Sequence, residues 1–430
     1  YHLRRITYAV ENFPLLNSFD SYVNYPYGYG ISWPPLLDLA AAAVALVAGL
    51  GNPSHFIIEA VSASIPVVLG LASVALVFYI VRDALGEKAG LLAALFMAIL
   101  PASVFRTAFA YTDHHALEVA MSLAMYLCFT RAVTAARDDK LSATRLSKKP
   151  LAYALLAGAA IAGMVFTWEG APIFIGVIGL YALVQYAYDA CRREDTEYLS
   201  VTGAVTALAA ALLVTPFVLA SPAGQAFEIS AVYISWFHVI YLLAIALFFI
   251  LMGGLSRLYS SLKAPWFSAV LTAIGGAALV AVALWLILPQ VFFTLVGGIQ
   301  FLFGEGNVLA TIVEVEPLFI DSGALSIDIP WAYLSTAGLL AIVGLLVYFL
   351  TRKWGRLGNA EVFLIVWTLV VLALGLLQKR FVYLLGVNVS IFAGFAVYWM
   401  LDLIGLFRGK DNKASQSGGS WLTPPVVAVV

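Results

Sequence analysis

Charge is what this 430-residue sequence has least of: 11% of its residues are charged, against 63% hydrophobic, and its mean hydropathy is +0.96. A water-soluble domain of this length needs a far more polar surface, so a soluble globular fold is excluded. The formal net charge of −1 comes without any basic block, which removes nucleic acid from the candidate partners. There are only two cysteines, Cys128 and Cys191. They lie far apart, in or at the ends of apolar runs, so neither a disulfide framework nor a cysteine metal site fits. No secretory signal is visible, and the chain does not open on Met. The period-2 alternation of membrane barrel strands is missing as well.

Long apolar runs are what the sequence has in abundance. Lipid offers backbone groups no hydrogen-bond partners, so unbroken runs of roughly 20 residues are expected to be spanning helices. The clearest are Val61–Val81, Gly90–Val104, His114–Arg131, Leu151–Thr167, Ala171–Tyr188, Ser200–Ala220, Ala231–Gly254, Phe267–Leu288, Trp331–Leu350, Glu361–Leu377 and Phe381–Ile404. The expected fold class is therefore all-α, a polytopic membrane helix bundle. Of the 23 Lys and Arg residues, 18 fall in one set of alternate loops. Those loops run from Arg82 and Lys88, through Arg131 to Lys149, to Arg408 to Lys413. The positive-inside rule makes that set cytoplasmic, and the loops holding Arg4, Arg5, Arg106, Lys379 and Arg380 external.

Leu36–Leu50 breaks the alternation. It is apolar but short, and it carries Asp38. Were it a span, the next run would enter from the wrong side to reach the Arg82–Lys88 loop. A re-entrant or interfacial helix within a first external loop, residues 1–60, fits better, with the helix bundle occupying 61–430. At the other end, Trp421 opens an apolar run that reaches Val430, which reads as the start of a further span.

The unusual residues collect in the external loops. Residues 101–115 read PASVFRTAFAYTDHH. Residues 289–330 hold Glu305, Glu314, Glu316, Asp321 and Asp328 without a single base, a composition compatible with cations and not with polyanions. Asp113 and His115 pair a hard oxygen with an imidazole at a helix start, a combination suited to a divalent metal such as Mn2+ or Mg2+, although Asp there also serves as an ordinary helix cap. Glu314, in TIVEVEP, is either a ligand or an acid on a wet strand face. Arg380, and with it Arg106, is either a clamp for a lipid-borne phosphate or an interface anchor.

Together these stretches resemble the catalytic subunit of oligosaccharyltransferases, the membrane enzymes of protein N-glycosylation. YHLRRI with NYPYGYG resembles the family's first external loop. YTDHH resembles its second acidic motif, in the Asp-x-His form of archaeal members. TIVE, Thr311 and Ile312 through Glu314, resembles its Thr-Ile-x-Glu motif. QKRFVYLL, with Arg380, resembles the stretch whose Arg contacts the donor phosphate. The order and spacing of the four agree with the family.

The resemblance implies a membrane glycosyltransferase (GT-C) bundle of thirteen spans, one lying before Tyr1. It also implies a C-terminal soluble domain beyond Val430 and a carboxylate just upstream of Tyr1, without which the piece is expected to be inactive alone. It implies Asp113 and Glu314 as catalytic residues, Asp113, His115 and Glu314 as ligands of Mn2+ or Mg2+, and Arg380 and Arg106 at the donor phosphate. The implied partners are a lipid-linked oligosaccharide on a dolichyl or polyprenyl (di)phosphate, an acceptor polypeptide with Asn-x-Ser/Thr, and the bilayer, in a single-subunit enzyme of the cell membrane with extracytoplasmic catalytic loops. A related enzyme using lipid-phosphate sugars, such as a protein O-mannosyltransferase, is the alternative, and TIVE and the late Arg380 argue against it. A transporter is a third reading. It would place its charges within the spans, where this sequence has few.

Overall fold

The computed structural model describes residues 1–31, 33–262, 265–303, 312–352 and 354–407. Thr311 and the expected span from Trp421 lie outside them. The N-terminal loop forms helix α1 (His2–Glu11), a two-stranded ribbon pairing Phe19–Asp20 with Tyr29–Gly30, and helix α2 (Leu36–Ala48). The bundle continues with α3 (His55–Leu85), α4 (Glu87–Ile99), α5 (Pro101–Thr107), α6 (His115–Asp138), α7 (Lys148–Val165) and α8 (Ala171–Cys191). Then come α9 (Glu197–Ala220), a single turn α10 (Pro222–Gln225), α11 (Trp236–Leu262), α12 (Trp266–Ile287) and α13 (Pro289–Leu302). A second ribbon, Ile320–Asp321 with Ala324–Leu325, precedes α14 (Asp328–Thr351), α15 (Asn359–Leu377) and α16 (Val382–Leu403). The fold is all-α, as the apolar runs require.

Among the described residues nine helices are long and apolar enough to cross a membrane, or ten if α4 and α5 count as one bent span. The remaining expected span is α7, which opens on Lys148 and Lys149 and falls outside that count. The run read as continuous from Gly90 to Val104 is in fact broken: α4 and α5 meet at 58°. Pro101 lacks an N–H and pushes the preceding Leu100 into extended backbone, which is where Leu100 sits (φ −66, ψ 127). α2 has 13 residues, about 20 Å of helix at ~1.5 Å per residue, short of the roughly 30 Å hydrocarbon layer.

α16 is the hub. In its apolar window 89% of residues are buried against protein, compared with 6% in α12 at the periphery. Small residues permit the close approach, as membrane helix packing favours. A Cβ on Gly394 of α16 would stand 2.4 Å from Ala93 N of α4, and one on Gly344 of α14 would stand 2.0 Å from Phe392 O of α16.

α6 has 24 residues and so extends about 36 Å, from Asp113 at one end to Arg137 at the other. At the Arg137 end, Asp189 is fully buried. It accepts from Tyr198 Oη (2.6 Å), Gln185 Nε2 (2.9 Å) and Arg137 Nη2 (3.2 Å), while Arg137 Nη1 donates to Asn359 Oδ1 (2.7 Å). One acid thus ties α6, α8, α9 and α15. Asp189→Ala leaves the buried donors of Tyr198 and Gln185 without their acceptor and Arg137 with only Glu194 and Asn359, and is expected to lower stability by roughly 3 kcal/mol. Thermal unfolding in detergent checks this; an unchanged midpoint would contradict it.

Candidate functional site

The site begins with a strained connection. After α5 the chain turns and is pinned to α3 by Ala110 N donating to Ala63 O (2.9 Å) and Thr112 Oγ1 donating to Ser62 O (2.9 Å). Ala110 takes the left-handed conformation, φ 68, which is costly for a residue with a Cβ. This places Asp113 immediately before the N-terminus of α6, where the helix dipole favours negative charge.

Asp113 gathers three imidazoles. His114 Nδ1 lies 2.7 Å from Oδ1, His115 Nδ1 lies 2.7 Å from Oδ2, and His2 Nε2 of α1 lies 3.7 Å from Oδ1. The rings of His114 and His115 stack with centroids 4.6 Å apart. Burial penalises the charged form of Asp113, but His114 and His115 on its two oxygens, with His2 close by, outweigh it and hold the carboxyl well below the usual carboxylate range. It is therefore ionised at any neutral pH. Burial likewise disfavours charge on His114, yet Asp113 and Glu118 raise its pKa above the ordinary imidazole value.

Behind these rings, Glu118 is fully buried. Its Oε1 is 3.1 Å from His114 Nε2, and its Oε2 accepts the Tyr383 hydroxyl of α16. The Arg106 guanidinium stacks 5.4 Å above the Tyr383 ring and donates to Tyr111 Oη at 2.6 Å. Arg106 thus stands behind the cluster and supports its wall.

In front of Asp113 lies a cavity of about 640 Å3, lined by His2, Asp113, His114, Trp168, Glu169 and Arg380 among others. Arg380 reaches it from the turn between α15 and α16, and Glu169 from the α7–α8 connection. Burial pushes the Glu169 carboxyl up, against the opposing pull of His114 and Arg380. Asp113 and Arg380, distant in sequence, share this one cavity.

Glu314 and Ile312 sit elsewhere. Glu314 is exposed in a single helical turn, Val313–Val315, with Ile312 exposed beside it. Glu314 neither lines the cavity nor joins any three-ligand group among the described residues. Its segment is nonetheless fastened to the Arg380 turn: Lys379 Nζ donates to Glu316 Oε2 (2.7 Å) and Asp321 Oδ1 (3.1 Å), Lys379 N to Glu316 O (2.9 Å), and Leu318 N to Leu376 O (3.2 Å). His2, His114, Glu118 and Glu169 were not among the expected site residues. An acid inside an apolar run marked Glu118, whereas no spacing rule joins His2 to Asp113.

Two groups bring three potential ligand atoms within 4.8 Å of one another: His2, Asp113 and His114, and His114, His115 and Glu118. The first suits a divalent cation, since a carboxylate oxygen and two imidazole nitrogens converge at the edge of an open cavity. That donor set fits Mn2+ better than Mg2+, which favours all-oxygen shells.

The chain matches the family model described as oligosaccharyl transferase STT3, N-terminal, over residues 1–408. It is 28% identical over 333 residues to the dolichyl-monophosphooligosaccharide–protein glycotransferase AglB of Haloferax volcanii, covering 74% of this chain and 31% of that protein. Its fold matches the Archaeoglobus fulgidus oligosaccharyltransferase AglB in complex with an inhibitory peptide and a dolichol-phosphate, with a TM-score of 0.85 at 22% identity over 98% of this chain and 48% of that one. It also matches the Archaeoglobus fulgidus oligosaccharyltransferase in complex with Zn and sulfate, with a TM-score of 0.72 at 20% identity over 94% of this chain and 45% of that one. The chain spans about a third to a half of the length of these relatives. With the match extending over 408 of its 430 residues, the chain belongs to the oligosaccharyl transferase STT3 family.

Proposed function

We propose that the chain forms the membrane part of an oligosaccharyltransferase, which moves a glycan from a dolichyl or polyprenyl (di)phosphate to the side-chain amide of Asn in Asn-x-Ser/Thr. The observation that carries this reading is the convergence of Asp113, His2, His114 and Arg380 on one cavity at an end of a membrane bundle. Family membership adds to it, as do the dolichol-phosphate and peptide held by the Archaeoglobus relative. The positive-inside rule supports an extracytoplasmic location for this end and a cell-membrane location for the protein. The partners are then a lipid-linked oligosaccharide, an acceptor polypeptide and the bilayer, in a single-subunit enzyme.

A carboxamide nitrogen is a poor nucleophile because its lone pair is delocalised into the carbonyl. In the proposed reaction that nitrogen attacks the anomeric carbon, the carbon–oxygen bond to phosphate breaks, and an amide proton passes to a carboxylate. Asp113, with His114 and His115 on its two oxygens, presents fixed negative charge at the cavity edge. A divalent cation, Mn2+ or Mg2+, bound by Asp113 and its neighbouring imidazoles would polarise the leaving phosphate. The Arg380 guanidinium matches phosphate bidentately and offsets charge as it develops on the leaving group. Glu314, exposed beside the Arg380 turn, stands where an arriving peptide can reach it and is assigned the amide N–H. Arg106 acts on the same region through Tyr383.

In the full-length enzyme, Arg380→Ala is expected to lower kcat/KM for the lipid donor about a hundredfold with little change in peptide KM. Initial rates at varied donor and peptide concentrations check this. An effect confined to peptide KM would remove Arg380 from the donor phosphate.

A further inference from the structure

Asp38 is an acid in the first turn of an apolar helix, and it is completely buried. Its two oxygens face two different side chains of α1. Oδ2 is 2.8 Å from Arg5 Nη1, and Oδ1 is 2.7 Å from His2 Nδ1. Arg5 is itself buried and also donates to Trp33 O at 3.2 Å. A buried pair of this kind contributes little net stability but fixes geometry. What it fixes here is the imidazole ring of His2.

We propose that His2 is a further ligand of the divalent cation at Asp113, and that Asp38 is the positioning residue that sets it in that role. A carboxylate that accepts a hydrogen bond from one ring N–H leaves the lone pair of the other nitrogen for a metal, and fixes the ring's rotation. Asp38 holds Nδ1, so Nε2 is the coordinating atom. Nε2 lies 3.7 Å from Asp113 Oδ1, beyond hydrogen-bond range. Two donors each about 2.1 Å from a shared ion stand roughly 3.0 to 4.2 Å apart, and the observed gap falls in that interval. His114 completes the three-donor group. α1 and α2 thereby become part of the metal centre, and two imidazoles beside one carboxylate shift its preference from Mg2+ towards Zn2+ and Mn2+.

The inference rests on the reading of Asp113 as a metal ligand, so the test includes Asp113. The full chain in detergent is titrated with Mn2+ alone, followed by electron paramagnetic resonance. Imidazole nitrogens coupled to the ion are counted from their hyperfine modulation, and Zn2+ and Mg2+ are compared by competition. Thermal unfolding without metal confirms folding. His2→Ala is expected to weaken Mn2+ about tenfold to a hundredfold, to remove one coupled nitrogen, and to lower the Zn2+ to Mg2+ affinity ratio. Asp38→Asn, which retains His2, is expected to weaken Mn2+ about tenfold. Because Asp38→Asn strips buried Arg5 of its counter-charge, His2→Ala decides alone if that variant does not fold. A folded His2→Ala chain with unchanged affinity and nitrogen count, beside an Asp113→Ala chain that loses the ion, overturns the role of His2 alone. Equal uptake by the unsubstituted and Asp113→Ala chains overturns both readings.

Discussion

Asp113→Asn is expected to reduce glycan transfer by the full-length enzyme at least about a thousandfold, close to 4 kcal/mol of transition-state stabilisation. Asparagine preserves shape and can still accept a hydrogen bond, so the backbone at the start of α6 has no reason to move. What disappears is the charge. Three imidazoles converge on this carboxylate, two of them at 2.7 Å, and among the described residues Asp113 is the one acid in the three-ligand group with His2 and His114. A neutral amide is a far weaker metal ligand, so a fall in Mn2+ affinity should accompany the fall in rate. The measurement is a single-turnover transfer assay beside a Mn2+ titration of the same preparation. Activity within tenfold of the unsubstituted enzyme would remove Asp113 from the chemistry.

Glu314→Gln is expected to lower transfer more than about a hundredfold while leaving binding of the lipid donor unchanged. The reason for the separation is geometric. Glu314 is exposed in its turn and outside the cavity that holds Arg380 and Asp113, so a donor phosphate bound there has no contact with it to lose. Its segment is nevertheless anchored to the Arg380 turn through Lys379, Glu316 and Asp321, which holds it beside that turn. Glutamine retains size and a carbonyl acceptor but cannot take a proton. Donor affinity from a fluorescent polyprenyl phosphate, set beside the transfer rate, distinguishes the outcomes. If most of the activity survives, Glu314 does not engage the amide.

The bundle was largely legible in the sequence because lipid imposes one solution on long apolar runs. Ten of the eleven expected runs, α4 and α5 together counting as one, are helices with the length and apolarity to cross a membrane. The break at Pro101 was also written in the chain, but apolar residues on both sides masked it. The 13-residue α2 was legible as too short to span, although the purpose of Asp38 within it was not. His2 and Asp38 are 36 residues apart and meet only because α1 packs on α2. Individual candidate residues such as Asp113 and Arg380, which line one cavity, could be singled out by type and place. Their shared cavity could not, because it depends on how α16 seats against its neighbours. The reverse holds for Glu314, whose motif is conspicuous in the sequence while its turn stands apart from the metal-ligand groups among the described residues.

The most direct test is glycan transfer by the full-length enzyme from a polyprenyl phosphate-linked oligosaccharide to a short peptide carrying Asn-x-Thr. A matched Gln-x-Thr peptide is run in parallel, and each reaction is run with Mn2+ and with a chelator. The account predicts product only from the Asn peptide, and only when the divalent cation is present. Product from the Gln peptide, or transfer to Asn that is indifferent to the chelator, would contradict it.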